Sequence, residues 1–262
     1  MRVLLCNPPA LKSGYQIPDI GLGYIATGLR KHGHEVDIFQ SELEPDFDAF
    51  RRRITEFKPD ILGLKVMSVE IVSTKKCIEI ARTEFPDVVT IIGGPHTSAA
   101  PLEDIFNYFD KLDYAMKGEA EIAFPKFVEV IESGSNDFSD VPGLAYRVDG
   151  AFKSNPVLIH RNLDDFGSPA WDLIDPRKYP NRWYFWTPEF PGAPILTSRG
   201  CPYRCTFCGQ NVVTGKMVRR RSLDLVLDEM DLLINTYGVH DFDFTDDNFL
   251  MDAEYVREFC KE

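Results

Sequence analysis

The sequence contains no apolar run that approaches the roughly 18 residues needed by a membrane-spanning helix. It also lacks an excess of positive charge. The sequence has 29 lysines and arginines but 41 aspartates and glutamates, which gives a formal net charge of −12. This balance argues against broad binding to nucleic acid or to an anionic membrane. Residues 1–9 are too short and too soon interrupted by proline for a signal peptide. We therefore expect a cytoplasmic protein with no membrane span and no nucleic-acid partner.

Cysteines are also few, with six in 262 residues, and no secretory feature accompanies them. This pattern favours a reducing compartment and a metal-binding role over a disulfide framework. Three of them are scattered and are expected to be buried or incidental: Cys6, Cys77 and Cys260. The other three form one group with the spacing C-x3-C-x2-C: Cys201, Cys205 and Cys208.

No fourth cysteine lies close to this group. A structural zinc site or a closed iron–sulfur cluster normally takes four protein ligands, so a loop with three thiols leaves one coordination position of the metal centre open. The spacing alone allows two interpretations. The loop holds a metal centre with an open position for chemistry, or it holds zinc together with a distant histidine or cysteine.

The surroundings of the loop narrow this choice. An apolar run at residues 195–197 turns at Gly200 directly into the cysteines, and an aromatic residue precedes the last of them. The pattern resembles the C-x3-C-x-aromatic-C signature of the radical S-adenosylmethionine (radical SAM) enzymes. The match is residue by residue, at Cys201, Cys205, Phe207 and Cys208.

The resemblance implies a 4Fe–4S cluster in which the three cysteines bind three of the four irons. In that family S-adenosylmethionine chelates the fourth iron, and an electron from the cluster cleaves it to give a 5′-deoxyadenosyl radical. Phe207 is then expected to lie against S-adenosylmethionine.

Residues 1–135 alternate short apolar runs with stretches of helical periodicity. The strands are predicted at residues 2–6, 35–39, 60–66, 88–92 and 113–117, and the helices at 20–31, 48–57, 69–85, 101–109 and 121–133. This order is typical of an α/β fold with a five-stranded, doubly wound, parallel, Rossmann-like sheet. Ligands bind such a sheet at the carboxyl ends of its strands, here the loops 7–14, 67–68, 93–98 and 118–119. The adjacent glycines Gly93 and Gly94 let a flat ligand approach the backbone, or they form a tight turn.

The order of these pieces resembles the cobalamin-binding domain of cobalamin-dependent radical SAM proteins. The opening motifs lie at residues 7–9, 20–26 and 33–36, and the later loops at 93–96 and 118–121. The resemblance implies that a corrin ring lies across the strand ends and faces the cluster. The candidate cobalamin contacts are Ser68, Gly93, Gly94, Pro95, Gly118 and Glu119.

One motif of other cobalamin proteins is missing. Mutases and methionine synthases carry D-x-H-x-x-G after the first strand, and its histidine ligates cobalt from below. Here residues 7–12 contain no histidine. No lower axial histidine is therefore expected, because His96 lies in a different loop and is better explained as a locally bonded residue. Loss of cobalamin binding altogether remains the alternative.

Residues 136–192 are predicted to form a connector. Apolar runs at residues 144–148 and 157–160 flank Asp149 and Gly150, which is a hairpin signal. Four aromatic residues at 183–186 either pack between two domains or line a pocket.

Residues 193–262 resemble the start of a radical SAM (β/α) partial barrel. A strand at 195–197, a helix from 223 to 237 capped by Ser222, and a strand at 241–245 are predicted, with Asp252 capping a further helix. Functional residues of barrels lie at the carboxyl ends of strands. The resemblance places Asp246 and Asp247 against the methionine part of S-adenosylmethionine, although the family's commonest motif there, Gly-Gly-Glu, is missing. A solvated acidic turn is the alternative.

A complete barrel needs ~250 residues, whereas residues 209–262 are all that follow the last cysteine of the loop. We therefore expect the front portion of a longer protein, too short to be active by itself.

The resemblance implies a cobalamin-dependent radical SAM enzyme that methylates an unactivated carbon of a small molecule or natural product. Its cluster would be reduced by an electron donor such as flavodoxin or ferredoxin. Two alternatives remain open: a cyclase or rearrangement enzyme of the same family, and a non-catalytic fragment that binds a corrinoid or an iron–sulfur cluster.

Overall fold

The computed structural model describes residues 1–9, 17–179 and 191–262. The aromatic group at 183–186 and most of the loop at 7–14 lie outside the described residues. Within those three ranges, no helix combines the length and the apolar character that crossing a bilayer would require.

The main sheet has seven strands. They are β1 (Arg2–Asn7), β2 (Glu35–Gln40), β3 (Ile61–Lys65), β4 (Val89–Gly93), β5 (Tyr114–Met116), β6 (Leu144–Val148) and β7 (Ala151–Ser154). Their order across the sheet is β2-β1-β3-β4-β5-β6-β7. The first five strands are parallel, and β6 and β7 are antiparallel to their neighbours. The predicted α/β class and its parallel sheet are confirmed.

Six helices accompany this sheet in the described residues, and all but the fourth contribute to the apolar cores on its two faces. They are α1 (Ile20–Lys31), α2 (Phe47–Phe57), α3 (Ile71–Glu84), α4 (Pro95–Ala99), α5 (Leu102–Tyr108) and α6 (Ala123–Glu132). Consecutive strand residues point to opposite faces, so Leu5 packs in one apolar core with α1 and α6, and Leu4 packs in another with α2, α3 and α5. Because both faces are buried, the strands read as continuous apolar runs rather than as alternating ones.

The hairpin differs from its prediction in one strand. Asp149 and Gly150 form the turn as predicted, both with positive φ (51° and 79°), which suits a two-residue hairpin connection. The returning strand is β7, however, and the prediction of a strand at residues 157–160 was wrong. A two-residue turn pairs the residues that flank it, and Val148 accordingly pairs with Ala151. The sheet therefore gains two strands from the residues assigned to the connector.

The helix predicted at 101–109 is confirmed as α5, whereas two other predictions are corrected. The chain forms an additional helix, α4, within the loop predicted at 93–98, because it leaves β4 directly into a short helix with proline in its first turn. The helix predicted at 69–85 begins as a 3-10 turn, Ser68–Glu70, before α3.

The second unit contains β8 (Gly192–Ile195), β9 (Ser198–Arg199), β10 (Arg219–Arg220), α7 (Leu223–Tyr237), β11 (Asp241–Phe244) and α8 (Ala253–Phe259). Strands β8 and β11 are parallel and are connected through α7, as a (β/α) barrel requires. Strands β9 and β10 form an antiparallel pair, and the cysteine loop runs between them.

The capping predictions have different outcomes. Asp252 caps α8 as predicted, since its carboxylate accepts hydrogen bonds from the backbone N–H groups of Glu254 and Tyr255. Ser222 occupies the N-cap position of α7, but its side chain makes no capping hydrogen bond. Instead, its backbone N–H donates to Asp164 at 2.8 Å.

The two units share one apolar core. Ala193 and Val226 of the second unit belong to the same buried cluster as Leu22 of α1. Trp171, from the segment between the units, donates from its indole N–H to Glu229 of α7 at 3.2 Å. The relative placement of the two sets of strand ends is therefore fixed by packing as well as by polar contacts.

A buried carboxyl group lies beyond the end of β2. The side-chain amide of Asn7 donates to Glu42 Oε1 at 2.6 Å. Burial raises the pKa of Glu42 to about 7. The folded protein thus holds a proton that the unfolded chain has already released, so the free energy of unfolding falls as the pH rises from about 4.5 to about 7.

Replacing this carboxyl group with an amide should remove its part of the pH dependence. In a Glu42→Gln variant the side chain at this position is uncharged at every pH and keeps an oxygen that can accept the hydrogen bond from Asn7. Between pH 5 and pH 8 the wild type should lose about 1–3 kcal/mol more unfolding free energy than the variant. Urea unfolding followed at four pH values measures the difference. Parallel stability profiles for the two proteins would contradict this account of Glu42.

Candidate functional site

A cavity of about 400 Å³ lies between the strand ends of the main sheet and the second unit. Its walls come from both units, because the loops after β3, β4 and β5 face β9 and residues 210–214, which follow the last cysteine within the loop between β9 and β10. The lining residues that shape it are Lys65, Gly93, Gly94, Gly118, Ser198, Arg199, Gln210, Thr214 and Asp247. A site of this kind, at the carboxyl ends of parallel strands, is the usual ligand position of a doubly wound sheet.

Glycine backbones form the part of the wall contributed by the main sheet. Gly94 has a φ of +96°, and a Cβ there would lie 3.2 Å from the backbone N and O of Val66. Gly118 has a φ of +77°, and a Cβ there would lie 2.3 Å from a methyl group of Val157. Side chains are therefore unfavourable at both positions, and a flat ligand can approach the peptide planes.

The cavity continues from the strand ends into the layer between the sheet and two helices. Leu5, Gly63 and Ile91 line it on the sheet side, and Leu22 of α1 and Phe124 of α6 line it on the helix side. A Cβ at Gly63 would lie 3.0 Å from the Phe124 ring, so glycine keeps this arm open. The cavity thus has a mouth at the strand ends and a narrower apolar arm.

An ion pair between a partly exposed lysine and a buried aspartate borders the mouth of the cavity. Lys65, the last residue of β3, lies 2.5 Å from Asp19 through its Nζ and Oδ2 atoms. Burial alone would lower the pKa of Lys65, but the Asp19 carboxylate outweighs burial and raises it. Asp19 also caps α1 by accepting from Leu22 N at 3.1 Å. Lys65 is therefore a fixed positive charge at this edge.

The cysteine loop is held at its ends and exposed in its middle. Cys201 is partly buried and its backbone N–H donates to Gly215 O at 3.4 Å, whereas Cys205 and Cys208 are exposed. Phe207 is 91% exposed. Across the residues that the structure describes, no three or more Cys, His, Asp or Glu side chains are arranged to hold a metal ion. The assignment of the three cysteines as ligands stays a prediction.

The two aspartates after β11 fasten the entry of the loop. Asp246 accepts hydrogen bonds from the backbone N–H and hydroxyl of Thr197, at 2.7 and 2.5 Å, and from the Ser198 hydroxyl at 2.5 Å. Asp247 accepts from Gly200 N at 2.8 Å and from the Thr214 hydroxyl at 3.1 Å. Only Asp247 of this pair lines the cavity. Their contact with S-adenosylmethionine stays a prediction.

The six predicted cobalamin contacts fall into two groups. Five of them lie together in the cavity wall: Gly93, Gly94, Pro95, Gly118 and Glu119. Ser68 lies outside the wall, and its hydroxyl is 3.1 Å from His96 Nδ1.

Glu119 makes contacts that the sequence analysis did not anticipate. Its carboxylate binds Arg219 through two hydrogen bonds, at 2.6 and 2.8 Å, and Arg199 through one at 3.3 Å. The neighbouring acid Glu121 accepts from Arg199 at 2.5 Å. All four side chains are at most 10% exposed. Burial alone would lower the pKa of Arg199, but Glu121 and Glu119 raise it.

Three of the residues in this site had no functional assignment from the sequence: Lys65, Arg199 and Arg219. A signal existed for two of them. Lys65 is a charged residue at the end of an apolar strand, and Arg199 directly precedes Gly200 at the entry to the cysteine loop. Arg219 lies in a short basic run at residues 216–221, which suggested a solvated lead-in to a helix or a phosphate contact, but its side chain is buried and its partner Glu119 lies 100 positions away.

Comparison with protein families assigns most of the chain. Residues 8–128 match the family described as the B12 binding domain, and residues 195–262 match the radical SAM superfamily. The first match covers four of the five parallel strands, β2 to β5, and the second covers the cysteine loop and the elements from β9 to α8.

Curated relatives align over nearly the whole chain. An uncharacterized methyltransferase, PH0819 of Pyrococcus horikoshii, is 29% identical over 97% of this chain and 55% of its own length. Cytidylyl-2-hydroxyethylphosphonate methyltransferase of Streptomyces wedmorensis is 30% identical over 99% and 57%. The anaerobic magnesium-protoporphyrin IX monomethyl ester cyclase of Rubrivivax gelatinosus is 29% identical over 100% and 48%. The chain spans about half the length of the curated relatives it matches.

Solved structures share the fold. The radical S-adenosylmethionine methyltransferase TsrM of Kitasatospora setae, with cobalamin and a 4Fe–4S cluster bound, superposes with a TM-score of 0.75 at 22% identity and covers 99% of this chain and 50% of its own. The cobalamin-dependent S-adenosylmethionine radical enzyme OxsB, with aqua-cobalamin and S-adenosylmethionine bound, gives 0.79 at 19% identity, with 99% and 36% covered. By its two family matches and its fold, the chain belongs to the radical SAM proteins that carry a B12-binding domain.

Proposed function

We propose that this chain is the cofactor-binding portion of a cobalamin-dependent radical SAM enzyme that methylates an unactivated carbon of a small molecule. The observation that carries the proposal is that one cavity has walls from both units. The B12-binding fold contributes glycine-rich strand ends, and the unit with the cysteine loop contributes the opposite wall. Two cofactors that must react together need such a shared space.

The chain's residues fit a cobalamin ring at the strand ends. Gly93, Gly94 and Gly118 would lie against the ring, because their backbones face the mouth without side chains. The apolar arm beside Gly63 and Phe124 has room for an apolar group that projects from one edge of the ligand.

Cobalt would carry no imidazole from the described part of this chain. Within those ranges, no histidine lines the cavity. His96 is bonded to Ser68, and His34 lies near the N-terminal amino group, at the end of the sheet opposite the cavity. The absence of a histidine at residues 7–12 agrees with this assignment.

Cys201, Cys205 and Cys208 would hold the 4Fe–4S cluster. Bound there, the cluster would supply the electron that cleaves S-adenosylmethionine to a radical. The protein's part is to fix both ends of the loop, to keep the thiols accessible, and to present Asp247 to the ammonium group of S-adenosylmethionine. Phe207 and Asp246 complete the proposed contacts with that cofactor.

The exposed loop also suits a reductant. Cys205 and Cys208 lie at the surface, where a small electron-transfer protein such as flavodoxin or ferredoxin can approach. We place the enzyme in the cytoplasm, since six cysteines without a disulfide framework suit a reducing compartment.

A cyclase of the same family is the second candidate, because the Rubrivivax gelatinosus cyclase aligns with the whole chain. The products separate the two reactions. Methyl transfer should release S-adenosylhomocysteine as well as 5′-deoxyadenosine, whereas ring closure should release 5′-deoxyadenosine without S-adenosylhomocysteine. Product analysis of the enzyme with its substrate decides between them.

The first prediction from this function concerns iron. After anaerobic reconstitution the chain should hold about four irons and give a reduced paramagnetic signal that changes when S-adenosylmethionine is added. Replacing Cys201, Cys205 or Cys208 with alanine should reduce the iron content to near zero. Cys260→Ala is the matched control, because Cys260 is exposed like Cys205 and Cys208 but lies after α8, and it should keep full iron content.

Stoichiometric zinc in place of iron would overturn the radical assignment. Equal iron content in the Cys201, Cys205 and Cys208 variants and in the Cys260 control would show that the loop is not the ligand set.

The second prediction concerns cobalamin and uses Gly93. A Cβ at this position would meet nothing closer than Met116 O at 3.7 Å, so a larger side chain can project into the cavity without disturbing the fold. Gly93→Leu should therefore unfold like the wild type but lose cobalamin affinity by at least about tenfold, because it fills the space of the ring. Titration followed by visible absorption measures the affinity.

Val72→Leu is the control for this variant. Val72 is 69% exposed near the start of α3, outside the cavity wall, and the change should leave cobalamin binding intact. If Gly93→Leu binds cobalamin as tightly as Val72→Leu does, the ring does not lie at the strand ends.

A further inference from the structure

We infer that Glu119 is a positioning residue that fixes the cysteine loop at the edge of the cofactor cavity. It does so by holding the stem of the loop, which is the pair of strands β9 and β10. The set formed by Glu119, Arg199 and Arg219 is called the Glu119 clamp below. The inference rests on the proposed function, in which the loop holds the cluster, but the clamp itself is a feature of this chain's own contacts.

The clamp joins two units across the two strands that flank the loop. Glu119 follows β5 in the B12-binding unit, whereas Arg199 lies in β9, directly before the loop, and Arg219 lies in β10, directly after it. Strands β9 and β10 pair with each other at these two residues. One carboxylate therefore holds both ends of the loop at the same place on the main sheet.

Arg199 and Arg219 are separated from the backbone of the loop by no more than one or two residues. Arg219 also donates to the Thr214 carbonyl at 2.8 Å and to the His160 carbonyl at 2.7 Å. Gly200, next to Arg199, has a φ of +91°, and a Cβ there would lie 2.1 Å from Met217 O. The two sides of the stem are thus in close contact where Cys201 begins, and movement of Arg199 or Arg219 would move the first thiol.

Burial makes this contact strong enough to act as a positioning device. Glu119 is 3% exposed and Arg219 is 2% exposed. An exposed ion pair of this kind contributes little, whereas removal of one partner from a buried pair leaves a charge without compensation. With Glu119 neutral, Glu121 would still pair with Arg199, whereas Arg219 would lose the negative charge that it binds. The free energy of the stem would then be lower with its arginines exposed to water than with its arginines buried in place.

A second buried ion pair serves as a control that distinguishes a positioning effect from a general loss of stability. Arg221 and Glu229 lie 2.5 Å apart and are each 1% exposed. This pair is at least as buried as the clamp, but Glu229 lies on α7 and accepts hydrogen bonds from Arg221 and Trp171. Loss of Glu229 should weaken the fold without releasing the loop stem from the strand ends.

Hydrogen exchange on the chain without cofactors tests the clamp directly. Glu119→Gln keeps the side-chain shape but removes the charge, and residues 199–220 should then exchange at least about tenfold faster than in the wild type. Glu229→Gln should not accelerate this segment relative to the rest of the chain. Arg219→Lys keeps the charge but loses the two-bond geometry, so it should give an intermediate acceleration even if Glu119→Gln folds poorly.

The loaded protein supplies a second measurement. In the reconstituted chain with cobalamin in excess, Glu119→Gln should keep its iron, while the magnetic coupling between cob(II)alamin and the reduced cluster should shift, because the loop has moved relative to the cavity. Glu229→Gln should retain the wild-type coupling. A Glu119→Gln variant with unchanged exchange and unchanged coupling would overturn the inference, as would equal changes in both variants. Loss of iron or cobalamin from the wild type would instead overturn the proposed function, and the exchange comparison would still decide the role of Glu119.

Discussion

Four buried charges govern how the two units meet. Glu119 and Glu121 follow the last parallel strand of the main sheet, and Arg199 and Arg219 come from the hairpin that carries the cysteine loop. Charges removed from water are tolerated only with close, well-oriented partners. Because the partners lie in different units, the interface has one favourable arrangement. That arrangement places the strand ends opposite the loop stem and creates the cavity between them.

The cavity combines rigid and open parts in a way that suits two cofactors. Its floor is backbone, with Gly94 and Gly118 in conformations that favour glycine. Its opposite side is a stem fastened by Asp246 and Asp247, beyond which the thiols of Cys205 and Cys208 remain exposed. Rigid surroundings hold reacting groups at a defined distance, while an accessible loop permits assembly of a cluster and delivery of electrons.

Local and periodic features could be predicted from the sequence, and long-range contacts could not. Strands buried on both faces read as apolar runs, so the five parallel strands were identified, and the cysteine spacing is contained in eight consecutive residues. The hairpin turn was located from Asp149 and Gly150, but its returning strand, β7, is mostly exposed and carries no apolar signal. The ion pairs join residues that are 78 to 100 positions apart, and no local pattern encodes such a pairing.

The hairpin of β6 and β7 has a consequence for the solubility of the chain. Without it, the short parallel strand β5 would present an unpaired edge, and such an edge is a template for intermolecular strand addition. The hairpin moves the sheet boundary outward to a four-residue strand with three exposed side chains, one of them Lys153. Short, charged edge strands oppose aggregation. Residues that do not approach the cofactor cavity thus protect a freshly synthesised sheet while its binding surface is still empty.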